Sequence, residues 1–364
     1  MINILHISPN FNYTCGVSKY LTIILSELVK YPELKIHFIT NGGDSLERLE
    51  SIGINPYIMK FDTGIKNVLY VRKNLKELES FCRLNKINII HTHHRYPEFL
   101  ANQLKHKLKI KTVTTVHSLV EGFKKFSFKS DKIIAVSKTV EKNLLRNFYV
   151  NPSKIVQLYN PIDLSTYNNQ IDNYTFELEH IILNNYKVLL FIGRNDKLKG
   201  LDILIKAFIR VSKAFNNVAL VIVSNLTYKE KKKILSKHKR IFICPPSHDM
   251  SKYYKNAQII ILPSIIESFP YVMLETGFFG KLFIGSDIEG ISEFIENGVN
   301  GILFKKNDYK DLINKLYMSL NLEENKKNKI ANNLYEKVLT LNSKKEYVMS
   351  LIKIYTEVVN TNEY

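Results

Sequence analysis

Along most of the chain, short apolar runs of strand length alternate with longer segments whose apolar positions recur every three to four residues, the spacing of an amphipathic helix. In the first half the runs fall at 3–8 (NILHIS), 35–40 (KIHFIT), 87–93 (INIIHTH), 112–117 (TVTTVH), 132–137 (KIIAVS) and 154–159 (KIVQLY). The alternation pauses at Asn160-Pro161-Ile162-Asp163 and an Asn-rich stretch of poor periodicity, then restarts. Strands are expected at 187–193 (KVLLFIG), 218–224 (VALVIVS), 241–244 (IFIC), 258–262 (QIIIL) and 281–286 (KLFIGS). Beyond Asp308 the pattern is helical to the closing KKEYVMSLIKIYTEVV. Strand and helix in strict turn predict an α/β architecture, parallel sheets covered by helices on both faces. We therefore expect two doubly wound domains with a cleft between them: residues 1–165, a linker at 166–186, and residues 187–343.

Length agrees with that division, since 364 residues at 45% hydrophobic content can form two separate cores. No run approaches the ~18 apolar residues that cross a bilayer, and MINILHISPN enters a strand without a basic or apolar leader, so a cytoplasmic protein is expected. Cys15, Cys82 and Cys244 are widely spaced and form no CxxC, which speaks against disulfides and zinc. The net charge of +18, heavier in the N-terminal half, calls for an anionic partner: a nucleotide, a nucleic acid or a membrane surface. A nucleic-acid role would draw on KEKKKILSKHKR, Lys229 to Arg240, but that run also fits a solvated helix face, and no RNA- or DNA-binding motif accompanies it.

In an open α/β sheet, ligands bind beyond the carboxyl ends of the strands, so the residues following each strand are the candidates. After the first strand, Gly16 precedes a helical pattern and could let backbone amides approach a phosphate, or could mark an ordinary turn. His91, His93, His94 and Arg95 would suggest metal in isolation; with alternating histidines assigned to opposite faces and no carboxylate or cysteine nearby, they are read as capping the sheet or touching an acceptor. His117 could contact a donor sugar or be a satisfied edge histidine. In the second half, Gly193, Arg194, Lys199 and Gly200 precede a helix, and two cations at a helix entrance suit a diphosphate. In LPSIIESFPYVMLET, the loop after the apolar run carries Glu267, Ser268 and Phe269, with Pro270 placed in the first turn of the next helix and Glu275 near its second. Ser268 or the loop backbone would cap that helix, and the two carboxylates would hold sugar or ribose hydroxyls.

FIGRNDKLKG, PSIIESFPYVMLET with glutamates eight apart, and GSDIEGISEFIENGVNGILF together resemble the donor-domain signature of the retaining GT-B glycosyltransferases of the family 4 type, and strand and loop order agree over nearly the whole chain. The resemblance implies two facing Rossmann-like domains, a nucleotide-sugar donor held mainly by the second, an acceptor held mainly by the first, and a final helix, 344–360, packed back on the N-terminal domain. By matching position it gives the diphosphate to Arg194 and Lys199, donor-sugar hydroxyls to Glu267 and ribose to Glu275. It puts backbone amides of Ser268 and Phe269, beside Pro270, near phosphate or sugar, sets His117 at the donor sugar, and turns Gly16 toward the phosphates. His93, His94 and Arg95 fall on the acceptor side. Cys15 stands where the family usually has the first of two glycines, and Ser224-Asn225 and Pro245-Pro246 replace the usual turns near the base. UDP is favoured over GDP or ADP.

The expected function is transfer of a sugar, with retention, from a nucleotide diphosphate to a hydroxyl of a glycan, lipid-linked sugar or protein. No metal or other cofactor is expected: the chain has no Asp-x-Asp, and Arg194 and Lys199 can neutralise the leaving group. The alternatives are a sugar-nucleotide epimerase, a phosphorylase or another enzyme of this fold, and a basic nucleic-acid-binding protein. Just after His117, EGFKKFSFKSDK interleaves Phe123, Phe126 and Phe128 with Lys124, Lys125, Lys129 and Lys132, a composition suited to weak contact with an anionic membrane or to a mobile loop that folds its phenylalanines onto the cleft.

Overall fold

The computed structural model of the protein describes residues 1–61, 66–163, 175–247, 250–341 and 343–361. They belong to two compact units, Met1–Asp163 with Asn342–Tyr364, and Leu164–Leu341. The first carries strands β1 (Ile2–Ile7), β2 (Leu34–Thr40), β3 (Tyr57–Ile58), β4 (Ile89–Thr92), β5 (Lys111–Val116), β6 (Lys132–Ala135) and β7 (Ile155–Gln157). The second carries β8 (Lys187–Ile192), β9 (Val218–Val223), β10 (Ile241–Cys244), β11 (Ile259–Leu262), β12 (Leu282–Asp287) and β13 (Ile302–Lys305). The sheets run β3-β2-β1-β4-β5-β6-β7 and β10-β9-β8-β11-β12-β13, and their pairings are parallel. This is the doubly wound α/β fold, twice over.

Helices on both faces explain why the strands read as apolar runs rather than as alternation. All six residues of VALVIV in β9 and all four of IIIL in β11 are buried. In each sheet the strand order reverses direction once, between β1 and β4 and between β8 and β11, and there the connections leave on opposite faces and open a crevice. Helix Leu201–Val211 turns Leu204, Ala207, Phe208 and Val211 into the second core, with Leu201, Ile203 and Ile205 also buried. The Lys229–Arg240 run divides: Tyr228–Leu235 is a helix closed by a Thr227–Glu230 capping box with only Ile234 buried, whereas Arg240 turns inward and donates to the carbonyls of Ser212, Phe215 and Val218.

Three features depart from the pattern-based expectation. Helix Phe176–Leu183 occupies part of the stretch read as linker; Leu178 and Ile181 bury against Val188, Leu190 and Tyr254, so it belongs to the second core, while residues 164–174 lie outside the described residues. Strand β3 is a two-residue exposed edge, too short for any periodicity. Strand β13 is only four residues long, follows directly on a glycine turn, and closes the second sheet through parallel pairing with β12.

Helix Lys344–Asn360 packs on helix Gly16–Leu28 of the first unit. Its start is fixed by a Ser343–Glu346 capping box and by Lys344 Nζ, 2.7 Å from Asp163. Tyr347, Val348, Leu351, Ile354, Tyr355 and Val358 are buried, and Tyr347 Oη lies 3.0 Å from Tyr20 Oη. Each such buried apolar side chain contributes about 1.5–3 kcal/mol. Removing residues 343–361 should therefore lower the melting temperature of the first unit and leave the second nearly unchanged, as two calorimetric transitions would show; if neither transition moves, this helix is not part of the first core.

Candidate functional site

The crevice between β8 and β11 gathers the second unit's candidates. Strand β8 ends at Ile192, and the next loop makes a turn of 3-10 helix over Lys197–Lys199, capped by Asp196, whose side chain accepts from Lys199 N. Gly200 follows with φ +66°, a left-handed conformation that favours glycine. It is also pressed on the second loop: a Cβ there would stand 2.0 Å from the carbonyl oxygen of Pro263. Ile265 N donates to Leu198 O at 2.7 Å, so the loops after β8 and β11 are joined backbone to backbone. On the far side, a Cβ at Gly290 would stand 2.0 Å from the carbonyl of Glu267, so glycine lets helix Glu289–Ser292 close on that residue.

This packing brings Lys199 and Glu267 together. Lys199 Nζ is 2.5 Å from Glu267 Oε1, which also accepts from Ser264 Oγ at 2.7 Å, and the two side chains keep 24% and 10% of their exposure. An ammonium has three donors, so Lys199 can hold Glu267 and still offer a proton to an anion. Arg194 is exposed and pairs with Asp196 at 3.1 Å. A side chain at Gly193 would press on the Phe191 ring. Helix Tyr271–Phe278 begins after Pro270, which is the N-cap and not a first-turn residue. The side chain of Phe269 is buried against Phe294. Glu275 is buried and accepts from Tyr254 Oη at 2.7 Å.

The first unit places its candidates around β1, β4 and β5. Gly16 is the first, exposed residue of its helix. His6 and His91 are register partners across β1 and β4, and both are buried. His91 and His93, two residues apart, share one side of the sheet with ring centroids 4.5 Å apart, which corrects the assignment of these histidines to opposite faces. His93 is 3% exposed, with one ring nitrogen 3.1 Å from His6 and the other 3.1 Å from His117, so it is not free to meet an acceptor. His94, half-buried, is the N-cap of helix Arg95–Leu108. Arg95 donates to the carbonyls of Glu121 and Gly122 and stands over the Phe123 ring, so it holds the loop after β5. Phe128, grouped with Phe123 and Phe126 in the sequence, is buried against Phe148. His6, Ser264, Tyr254 and Gly290 were not singled out. For His6 the signal was present: a histidine near the end of the first strand, and two more at the end of the fourth, become neighbours once strand order is known.

Two doubly wound parallel sheets, each with its polar residues gathered at the point where strand order reverses, define a two-domain α/β enzyme of the nucleotide-binding kind. The family described as Glycosyltransferase Family 4 matches residues 14–166, and that described as Glycosyl transferases group 1 matches residues 176–337. The chain belongs to the GT-B glycosyltransferases of the family 4 type. Among its relatives, an uncharacterized glycosyltransferase of Methanocaldococcus jannaschii is 26% identical, covering 84% of this chain and 86% of that protein. The capsular polysaccharide biosynthesis glycosyltransferase CapM of Staphylococcus aureus is 23% identical over 82% of this chain and 83% of that protein. A solved glycosyltransferase of Rickettsia africae superposes with TM-score 0.80 at 23% identity over 99% of both chains. Anabaena HepE, solved with UDP-glucose, does so with TM-score 0.83 at 14% identity over 98% of this chain and 100% of that one.

Burial makes the histidines gathered around β1, β4 and β5 poor bases. Desolvation pushes His6 and His117 down to about 3 and His94 to about 4, and holds His91 and His93 well below 6.5. The unfolded chain therefore takes up protons below about pH 6.5 that the folded chain does not, so stability is fully present above that pH and is lost as pH falls toward 3–4. Each fully buried ring loses on the order of 2 kcal/mol between pH 6.5 and 5. Urea unfolding at pH 7.5 and 5 should show the first unit destabilised at the lower pH, and a flat profile would mean that these rings are protonated in the fold.

Proposed function

We propose that the protein transfers a sugar, with retention at the anomeric carbon, from a nucleoside diphosphate to a hydroxyl of a glycan, lipid-linked sugar or protein. The observation that carries this reading is the Lys199–Glu267 pair, held at 2.5 Å by two backbone approaches that only glycine allows, at the reversal point of the second sheet. Lys199 and Arg194 would take the diphosphate, and Glu267 the sugar hydroxyls. Glu275 would serve the ribose, and the amides beside Ser268 and Phe269 the phosphate or sugar. His117 would meet the transferred sugar, and Gly16 would admit the phosphates. As the bond from the anomeric carbon to the diphosphate oxygen breaks, negative charge grows on that oxygen, and fixed cations stabilise it most at that moment. The acceptor oxygen bonds to the same face and its proton passes to the leaving diphosphate. UDP as the nucleotide is supported by the UDP-glucose in the Anabaena neighbour. Metal independence is supported by the lack of an Asp-x-Asp and by the cations at Arg194 and Lys199.

A panel of nucleotide sugars, screened by thermal shift and then by nucleotide release with and without acceptor, identifies the donor. With it, Arg194→Ala, Lys199→Ala and Glu267→Ala should each lower turnover by about a hundredfold with the fold intact, the usual effect of losing one preorganised group. EDTA should change nothing. Near-wild-type rates in all three variants would sink the site, and activity abolished by EDTA and restored by manganese would sink metal independence.

We also propose that the loop after β5 touches an anionic membrane, which would place the enzyme at its inner face. Among the described residues no helix is long and apolar enough to cross a bilayer. Phe123 is 75% exposed and Phe126 56%, beside Lys124 and Lys125 on a turn of 3-10 helix. The loop is anchored at its base, where Glu98 accepts from the amides of Phe128 and Lys129 at 2.8 and 2.6 Å. Each lysine near an anionic surface contributes about 1 kcal/mol, so binding should be weak and salt-sensitive. Co-sedimentation with anionic liposomes at low salt should be lost when Lys124, Lys125 and Lys129 become Glu; equal partition onto neutral vesicles would remove the membrane from this reading.

A further inference from the structure

Beneath His117 lies a chain of rings that the proposed reaction leaves unexplained. His117 Nε2 is 3.1 Å from His93 Nδ1, and His93 Nε2 is 3.1 Å from His6 Nδ1. Ring centroids are 5.4 Å apart in both pairs, with planes inclined by 32° and 10°. At that separation the bonding nitrogens lie close to the lines joining ring centres, so each lone pair meets the next N–H nearly head on. His6 Nε2 ends the chain, buried and without a partner. At the other end His117, half-buried after β5, has no protein partner at Nδ1 among the described residues.

A neutral imidazole carries one N–H and one lone pair. Because His93 uses both nitrogens, the chain can run in only two directions. If the protons point inward, from His117 toward His6, then His6 Nε2–H is left in the core with no acceptor. If they point outward, His6 Nδ1–H donates to His93 Nε2, His93 Nδ1–H donates to His117 Nε2, and the unpartnered atom is a bare lone pair. Orphaned buried N–H groups are rarer than under-satisfied acceptors, which favours the outward direction. We propose that His6 and His93 are positioning residues that hold His117 neutral and protonated at Nδ1, so that it presents a fixed N–H donor and cannot serve as a base. Among the described residues no carboxylate bonds these rings: His91 bonds Tyr355 Oη at 2.6 Å and Thr115 Oγ1 at 2.8 Å, and the other rings packed on them are those of Tyr20 and Tyr355, so none of these neighbours offsets a positive charge. The same bonds speak against a metal among His6, His91 and His93, since both nitrogens of His91 and of His93 are engaged.

The inference rests on His117 meeting the transferred sugar, and it specifies the partner: an oxygen that accepts a hydrogen bond, such as a sugar hydroxyl. The test is a long-range 1H–15N correlation spectrum of the full chain labelled with 15N-histidine at pH 7.5, with the His117 signals assigned from their loss in His117→Gln. The expected result is a neutral His117 ring protonated at Nδ1. In His6→Phe, which removes the donor that starts the chain, that single tautomer should give way to a mixture and turnover should fall about tenfold or more at unchanged KM. His6→Gln, whose amide can donate to His93 Nε2, should restore both. A wild-type His117 protonated at Nε2, a charged ring, or a stoichiometric bound metal by elemental analysis would each overturn the relay. If the relay is seen but His117→Gln transfers sugar at the normal rate, the relay stands and the role of His117 at the sugar falls.

Discussion

The contact of Gly200 with the carbonyl of Pro263 decides where the functional groups of the second unit can stand. With any side chain at that position the loop after β8 would be lifted off the loop after β11, since a Cβ would fall 2.0 Å from the oxygen. The Ile265–Leu198 backbone bond and the Lys199–Glu267 pair both depend on that approach. Gly290 does the same from the other side, against the backbone of Glu267 itself. A lysine and a glutamate are thus held in place by backbone packing, which suits a site that must meet a charged ligand without rearranging first.

The first unit follows another principle. Its polar residues are drawn into the sheet and kept uncharged by desolvation, with hydrogen bonds supplied by one another and by the C-terminal helix. Tyr347 and Tyr355 reach Tyr20 and His91 from the last helix of the chain, so the residues around His6 and His93 are completed by a segment far away in sequence. Such a network stays ordered only while its members remain satisfied.

Much of this was legible in the residues. Among the described residues, apolar runs at strand spacing located eleven of the thirteen strands, because strands buried on both faces need continuous apolar side chains. The family came from FIGRNDKLKG and the paired glutamates, residue types that a diphosphate and sugar hydroxyls require at the ends of strands. Two of the misses are equally physical. Strand β3 is too short to carry a period, β13 was passed over although it is as long as β4, β6, β10 and β11, and helix Phe176–Leu183 was hidden in a stretch whose polar neighbours masked two buried positions.

By itself, the order of residues determined the fold class, the division into two sheets and the identity of the chemical groups, since each follows from local patterns of apolar and polar side chains. Only the tertiary structure decided which groups meet. Lys199 and Glu267 are 68 residues apart and His6 and His93 are 87, and neither pairing is implied by any local pattern. Strand order made both pairs, because it puts β8 beside β11 and β1 beside β4. It also turned His93 from a candidate surface ligand into a buried link, for burial is a property of what packs above a residue and not of the residue.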